Sequence, residues 1–412
     1  METRNSKTEM PLFKVKGEKF IFVGEKTIMK LSDMCIMFED GDWIESKDQS
    51  DDGIRLLQTG NIGEGKFLEK EGKERFISRE TFEKLKCKEV FSGDILISRL
   101  PEPVGRACLV PEKKQRMITA VDCTICRIDD KKIRRRYLCY YLQSANYYTQ
   151  LKNSITGTTR KRISRKNLGN IEIKIPSDKK QEEVIKQLDL IVEIIDNKKK
   201  KLQLLDTLVK SRFVELFGNP ISNSYGLPEA TLPELGEFGR GVSKHRPRND
   251  PRLLDGEYPL IQTGDIANTD LYITLYNSTY SELGLQQSKM WNKGTLCITI
   301  AANIAKTAIL GFDACFPDSV VGFNANERTN NIFIHYWFSF FQSILESQAP
   351  ESAQKNINLK ILSELKVIVP KKEKQDEFVE FINQLDKSKS KIQKSLEETQ
   401  LLFDSLMQKY FG

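Results

Sequence analysis

This chain reads as an α+β protein: two mixed α/β, strand-rich domains joined by two long antiparallel coiled-coil helices, with an internal pseudo-two-fold repeat. Three features carry that reading. The 38 residues from Gln181 and the 38 ending at Gly412 align without a gap: Gln181-Glu182-Glu183 answers Gln375-Asp376-Glu377, and Leu216-Phe217-Gly218 answers Tyr410-Phe411-Gly412. Upstream landmarks recur in the same order. Leu57-Gln58-Thr59-Gly60-Asn61-Ile62 answers Ile261-Gln262-Thr263-Gly264-Asp265-Ile266, Ser92 to Ser98 answers Lys293 to Thr299, and Ile163 and Leu168 answer Ile357 and Leu362. The offset drifts only from 204 to 194, so loops change length while the scaffold persists. The third feature is a strict four-three spacing that runs through both repeated segments. Two equivalent modules imply a target that is itself in two parts.

Residues 1–27 form an N-terminal extension, and the first strand-rich domain covers 28–176. Short β-branched runs broken by Gly, Asp and Asn mark its strands. It closes with Ile171 to Ile175 before Pro176, as the second domain, 219–370, closes with Lys366 to Val369 before Pro370. A proline ends strand pairing and biases its predecessor towards extended backbone. The central helix covers 177–218 and the C-terminal one 371–412. Positions 184, 188, 191, 195, 198, 202, 205, 209, 212 and 216 form its seam; adding 194 to each gives the seam from Phe378 to Tyr410. Lys198 and Arg212 are polar seam residues whose equivalents, Ile392 and Leu406, are apolar; polar seam residues weaken a coiled coil but fix its register. So narrow a stripe suits a partner helix better than a broad sheet. Gly218 and Gly412 suit C-terminal caps. Taken as about 36 residues, each helix would be about 54 Å long and would act as a spacer.

Composition excludes several classes. No stretch approaches the eighteen or so apolar residues of a membrane span, and Met1 to Phe20 lacks a signal-peptide core, so a cytoplasmic protein is expected. Eight irregularly spaced cysteines suggest reduced thiols, and Cys123 and Cys126 read as packing rather than as a metal pair. His245 and His335 are the only histidines, which excludes most histidine-based triads and metal sites. Gly63-Glu64-Gly65-Lys66 is too short for a phosphate loop. Asn219-Pro220-Ile221-Ser222 lacks the aromatic of an adenine-methyltransferase motif and reads as a helix stop. No catalytic or metal-ligating set emerges, and no cofactor is expected on this chain.

Candidates for contacting DNA lie in loops. A net charge of +7 is modest, but cations cluster at Lys131 to Arg136, Arg160 to Lys166 and Lys198 to Lys201, as solvated faces or as phosphate-neutralising patches. The segment Gly239 to Arg248 combines glycines with Arg240, Lys244, His245, Arg246 and Arg248; arginine forks match guanine edges or phosphate. Its counterpart, Gly41 to Lys47, is acidic, with Trp43 and Lys47. Differing loops on a matched scaffold would read differing bases; ordinary surface turns are the alternative. Arg160, Lys161, Arg162 and Arg165 suit phosphate contacts, which position a protein without specifying sequence. The matching stretch from Gln354 to Asn358 is rich in amides that suit adenine edges. Gln58 and Gln262 lie in landmarks that read equally as DNA-near or as scaffold turns. Arg99 and Asn303, which follow the matched segments 92–98 and 293–299, complete the set.

The paired Gln-Thr-Gly-Asn/Asp-Ile landmarks, the loop from Gly239 to Pro247, and the passage from Ile175-Pro176 through Gln181-Glu182-Glu183 to a helix ending Leu216-Phe217-Gly218 resemble one known family. It is the DNA-specificity subunit of type I restriction-modification systems, and the likeness runs from about Ile28 to Gly412. Met1 to Val23 departs from the family's start, and Glu351-Ser352-Ala353-Gln354 replaces the turn Gly157-Thr158-Thr159-Arg160. The resemblance implies two target-recognition domains, each reading half of a split, asymmetric duplex sequence, with the antiparallel helices setting the gap. It also implies docking of two methyltransferase subunits that methylate adenine with S-adenosylmethionine, and of motor-nuclease subunits that use ATP and Mg. This subunit would then be non-catalytic. Two other classes remain open on the residues alone: a coiled-coil interaction scaffold with duplicated β-rich domains and no role in restriction, and an autonomous nuclease.

Overall fold

Pro176 and Pro370 each follow a strand, and in the computed structural model both strands pair with the first described strand of their own unit. Thr27–Lys30 runs antiparallel to Glu172–Ile175, and Glu229–Thr231 runs antiparallel to Lys366–Ile368. The structure describes residues 27–157, 159–301, 304–348, 357 and 359–412. The N-terminal residues 1–26, Asn303 and most of the stretch from Glu351 to Asn358 lie outside the described residues. The chain divides into two units, Met1–Ile195 with Glu397–Gly412, and Asp196–Leu396.

In the first unit Cys35–Asp40, Cys123–Ile128, Ile95–Ser98 and Ala107–Leu109 form an antiparallel sheet in that order. A second sheet orders Phe76–Ile77, Ile54–Leu57, Met117–Thr119 and Glu89–Val90, with its two middle strands parallel. Ile54–Leu57 and Ile95–Ser98 are buried at every residue, so these strands show no polar face. The second unit repeats the plan. Gly236–Arg240, Val320–Ala325, Leu296–Thr299 and Thr307–Leu310 lie in the matching order, with Tyr272–Ile273 added at the edge. Ser278–Tyr280, Leu254–Leu260, Ala314–Cys315 and Met290–Trp291 make the smaller sheet, again with a parallel middle pair. The internal repeat is therefore a repeat of topology.

The two long helices are Asp178–Phe217 and Lys372–Phe411, 40 residues each and about 60 Å long. They lie within the expected bounds 177–218 and 371–412, and are longer than the about 36 residues assumed for the spacer length. Every seam position from Val184 to Leu216 and from Phe378 to Tyr410 is buried or half-buried. Within the second unit the helices run antiparallel: partners fall along one as they rise along the other, Lys198 with Ser395, Asp206 with Lys389, Arg212 with Glu377. Lys198 donates to the Ser395 carbonyl at 2.8 Å and hydroxyl at 2.7 Å, and Arg212 to Glu377 at 2.6 Å. The polar seam residues thus each meet a specific partner, which is how they fix register. In the first unit Val184 and Leu188 share a core with Met407 and Phe411, and the Tyr410 hydroxyl meets Gln187. Gly218 caps the central helix in the left-handed region (φ 75°), donating to the Val214 carbonyl.

The repeated glutamines near the helix starts have one structural job. Gln181 and Gln375 are both buried, and each donates its amide to the carbonyl of the proline five residues before it, at 3.0 and 2.9 Å. Each also accepts a hydrogen bond, from Arg134 N in one unit and the Thr329 hydroxyl in the other. Cys123 and Cys126, three apart on one strand, enter different hydrophobic clusters, and burial pushes the Cys123 thiol up to about 12.

His335 is buried on the helix Asn331–Gln348, with Nδ1 2.9 Å from the Thr307 hydroxyl. Desolvation lowers its pKa to about 4; Asp270 opposes that shift and Lys389 adds to it. The unfolded chain takes up this proton near 6.5, the folded unit only near 4. The stabilisation is therefore complete above about pH 6.5 and declines as pH falls towards 4, a loss of about 3 kcal/mol. Urea unfolding of the wild type and His335→Gln across that window should show the extra pH slope only in the wild type.

Candidate nucleic-acid interface

Loop position in both units follows from one glycine. A Cβ on Gly41 would overlap the carbonyls of Thr119 and Ala120, and one on Gly241 those of Phe316 and Pro317. Glycine lets the backbone pass this close. It brings the loop that follows against the turn joining Met117–Thr119 to Cys123–Ile128 in one unit, and Ala314–Cys315 to Val320–Ala325 in the other.

In the second unit the loop after Gly241 is strongly braced. Arg246 donates to the carbonyls of Ser243 at 2.6 Å and His245 at 2.8 Å, and reaches Asp318 at 3.3 Å. Arg248 also pairs with Asp318. His245 meets Asp250 at 3.0 Å through Nε2 and accepts support through its backbone, which donates to Gln287. Asp250 also takes Arg252 in a fork, and that pairing, ahead of the Arg252 backbone N–H and His245, holds its carboxyl well below the usual carboxylate range. Arg240 and Lys244 are exposed. Arg240 at the end of its strand and Lys244, Arg246 and Arg248 in this loop face solvent.

The first unit's loop differs in sign. Trp43 is 70% exposed, its ring N–H donates to Glu45 at 3.4 Å, and Lys47 pairs with Glu45 at 2.6 Å. The cations lie instead on the turn closed by reciprocal hydrogen bonds between Thr156 and Arg162. Arg160, Lys161, Arg162 and Arg165 are exposed there, and Arg165 opens a short helix capped by Ser164.

Four further candidates stand outside these two loops' cation sets. Arg99 is 6% exposed; its guanidinium donates to the Val121 and Ile163 carbonyls at 2.8 and 3.4 Å and pairs with Asp40 at 3.2 Å, so it braces the scaffold and offers no edge to DNA. Asn303 lies outside the described residues. Gln58 and Gln262 begin tight helical turns in which Asn61 and Asp265 accept from their backbone N–H at 2.9 and 2.8 Å. The landmark repeats because the turn needs an acceptor three residues on. Two other important residues carried no sequence signal. Arg106 is buried and donates to four carbonyls, of Ile62, Thr59, Leu100 and Pro103, tying the first landmark turn to the loop after Ser98. Asp318 gathers two arginines from a distant loop.

Two copies of one scaffold that diverge in exposed, charged loops define a duplicated recognition protein. A profile of the type I restriction modification DNA specificity domain matches the chain twice, over residues 24–207 and 229–399. The chain therefore belongs to that family: it is a type I restriction-modification DNA-specificity protein with two such domains. It is 20% identical over 314 residues to the "Putative type I restriction enzyme MjaX specificity subunit" of Methanocaldococcus jannaschii, covering 71% of this chain and 72% of that one. Its fold is similar to the crystal structure of a type I restriction-modification S subunit from M. genitalium, with TM-score 0.54, 16% identity, and 96% and 98% of the two chains covered. A chain from a structural study of assembly and conformational transition of the type I R-M system gives TM-score 0.53, 14% identity, and 95% and 99% coverage. Among the described residues no helix is long and apolar enough to cross a membrane.

Proposed function

We propose that this chain is the specificity subunit that reads a bipartite, asymmetric sequence in double-stranded DNA for a type I restriction-modification complex. One observation carries the reading: matched topology in both units, with a braced arginine loop in one and an acidic, tryptophan-bearing loop in the other. Bases are distinguished by side chains at groove edges, so one frame with two different loop sets reads two different blocks. The exposed cations at Arg160, Lys161 and Arg165 supply phosphate contacts that set register without choosing sequence. The paired helices set the distance between the blocks. Their outward leucines, among them Leu190, Leu204, Leu208, Leu401 and Leu402, give partner helices apolar surface to bury.

Those partners are two methyltransferase subunits, which bring S-adenosylmethionine and methylate adenine, and motor-nuclease subunits, which bring ATP and Mg. The chain itself makes or breaks no covalent bond. Single-molecule methylation mapping in the host, with and without this gene, tests the reading. The expected result is a two-block motif with a fixed gap that vanishes on deletion. Arg246→Ala should relax one block only, at about 1–3 kcal/mol per lost base contact. A motif unchanged by deletion, or relaxed equally in both blocks by Arg246→Ala, would overturn it.

A further inference from the structure

Each unit places one aspartate at the same point of its topology, in the short turn between the parallel-paired strand and the next. Asp122 lies between Met117–Thr119 and Cys123–Ile128, and Asp318 between Ala314–Cys315 and Val320–Ala325. Asp122 faces one arginine and Asp318 two: Arg162 lies 3.6 Å from Asp122, Arg246 lies 3.3 Å from Asp318, and Arg248 contacts Asp318 too. Arg246 and Asp318 are 72 residues apart, so the meeting is not a by-product of local chain geometry. The settings also match: Arg162 and Arg246 keep 52% and 53% of their side-chain surface, and the aspartates 31% and 32%.

Hydrogen bonds brace the backbone around each pair. Behind Arg246, the carbonyls of Ser243 and His245 take one nitrogen of its fork, which leaves Asp318 on another. In the first unit buried Arg99 ties the Asp122 turn to the Arg162 loop. Its backbone donates to the Asp122 carbonyl, and its side chain to Val121 and Ile163. The aspartate position is thus repeated, while the arginine that meets it comes from a different loop in each unit.

We infer that Asp318, and Asp122 in its own unit, are positioning residues that determine specificity by withholding arginines from phosphate. This deepens the DNA-reading function proposed above and rests on it. A half-exposed ion pair is weak, so DNA can compete for the guanidinium. A phosphate competes for the same anion-binding edge, and an arginine that grips phosphate must leave its aspartate. An arginine that keeps its aspartate has its plane fixed and its remaining N–H groups aimed, which suits a guanine edge. Non-specific binding draws on phosphate contacts, so the aspartate penalises it more than target binding.

The test is Asp318→Asn in the full-length chain, in whatever complex it purifies with, across a salt series. The probes are a random-sequence duplex and a duplex carrying the motif found by methylation mapping. Affinity for the random duplex should rise roughly tenfold and the slope of log K against log salt steepen by about one to two, as freed arginines reach phosphates. Affinity for the target should stay level or fall, with discrimination lost in one block, and Asp318→Glu should restore it. Asp122→Asn should affect the other block. In an Arg246→Ala/Arg248→Ala background, Asp318→Asn should change nothing. An equal gain in that background would show a general charge effect and overturn the proposal, as would an unchanged random-duplex affinity. A wild type that cannot distinguish target from random duplex would instead sink the DNA-reading function, and this proposal with it.

Discussion

Replacing Phe213 by alanine is expected to destabilise the second unit by about 3–5 kcal/mol, the range for emptying a buried aromatic site. Phe213 is fully buried on the central helix. Its ring lies 4.9 Å from Phe217 one turn on, 5.4 Å from Phe333 on the Asn331–Gln348 helix, and 5.4 Å from Phe378 on the C-terminal helix. Three helices therefore converge on one side chain, and a cavity there cannot close without moving one of them. Such a loss is a large share of the stability of an ordinary domain. Tryptophan fluorescence is well placed to follow it: Trp291 and Trp337 are buried in this unit, whereas Trp43, in the other, is exposed already. Urea unfolding should show an earlier midpoint for Phe213→Ala, a smaller shift for Phe213→Leu, and almost none for Leu204→Ala, since Leu204 is 57% exposed. A loss below about 1 kcal/mol for Phe213→Ala would mean that the helices do not pack here as described.

The helix seam was legible because its evidence is local: ten apolar or deliberately polar positions recur at four-three spacing, and each is buried or half-buried. The helix starts were legible too: Asp178 and Lys372 fall one residue inside the expected bounds, because Pro176 and Pro370 mark where the extended segment before each helix ends. The ladder joining Thr27–Lys30 to Glu172–Ile175 could not be read, because pairing across so long a chain leaves no periodic trace. In the loops, composition located exposed cations such as Arg160, Lys161, Arg246 and Arg248. It could not tell them from Arg99, whose type is the same but whose guanidinium is enclosed by carbonyls from residues 121 and 163. Nor did composition single out Asp122 or Asp318, ordinary acids until the fold sets them against arginines. Gln58 and Gln262 show how a turn requirement leaves a repeated motif: in both units the acceptor three residues on, Asn61 or Asp265, takes the backbone N–H of the glutamine.

Inserting seven residues into each long helix, beside Ile195 and beside Thr399, should move the DNA gap. Seven residues preserve the seam, since the apolar pattern returns every seven, and turn an α-helix by only about 20° relative to a perfect 3.5 repeat. The added rise is about 10 Å, or roughly three base pairs at 3.4 Å each. If the helices space the two readers, the insertion variant should bind the original spacing at least about a hundredfold more weakly, because one block can no longer be met and each lost base contact costs about 1–3 kcal/mol. The best new target should carry a gap about three pairs longer. It should not reach wild-type affinity: three pairs turn the duplex by about 100° at roughly 10.5 pairs per turn, while the inserted heptads turn their helices far less. The second reader would therefore face the groove out of phase, and the mismatch must be absorbed by twist in the DNA or strain in the protein. Selection from duplexes with gaps of every length, read by sequencing, distinguishes the outcomes. A variant that folds, shown by its unfolding curve, and still selects the original gap would mean that the helices set no distance along DNA.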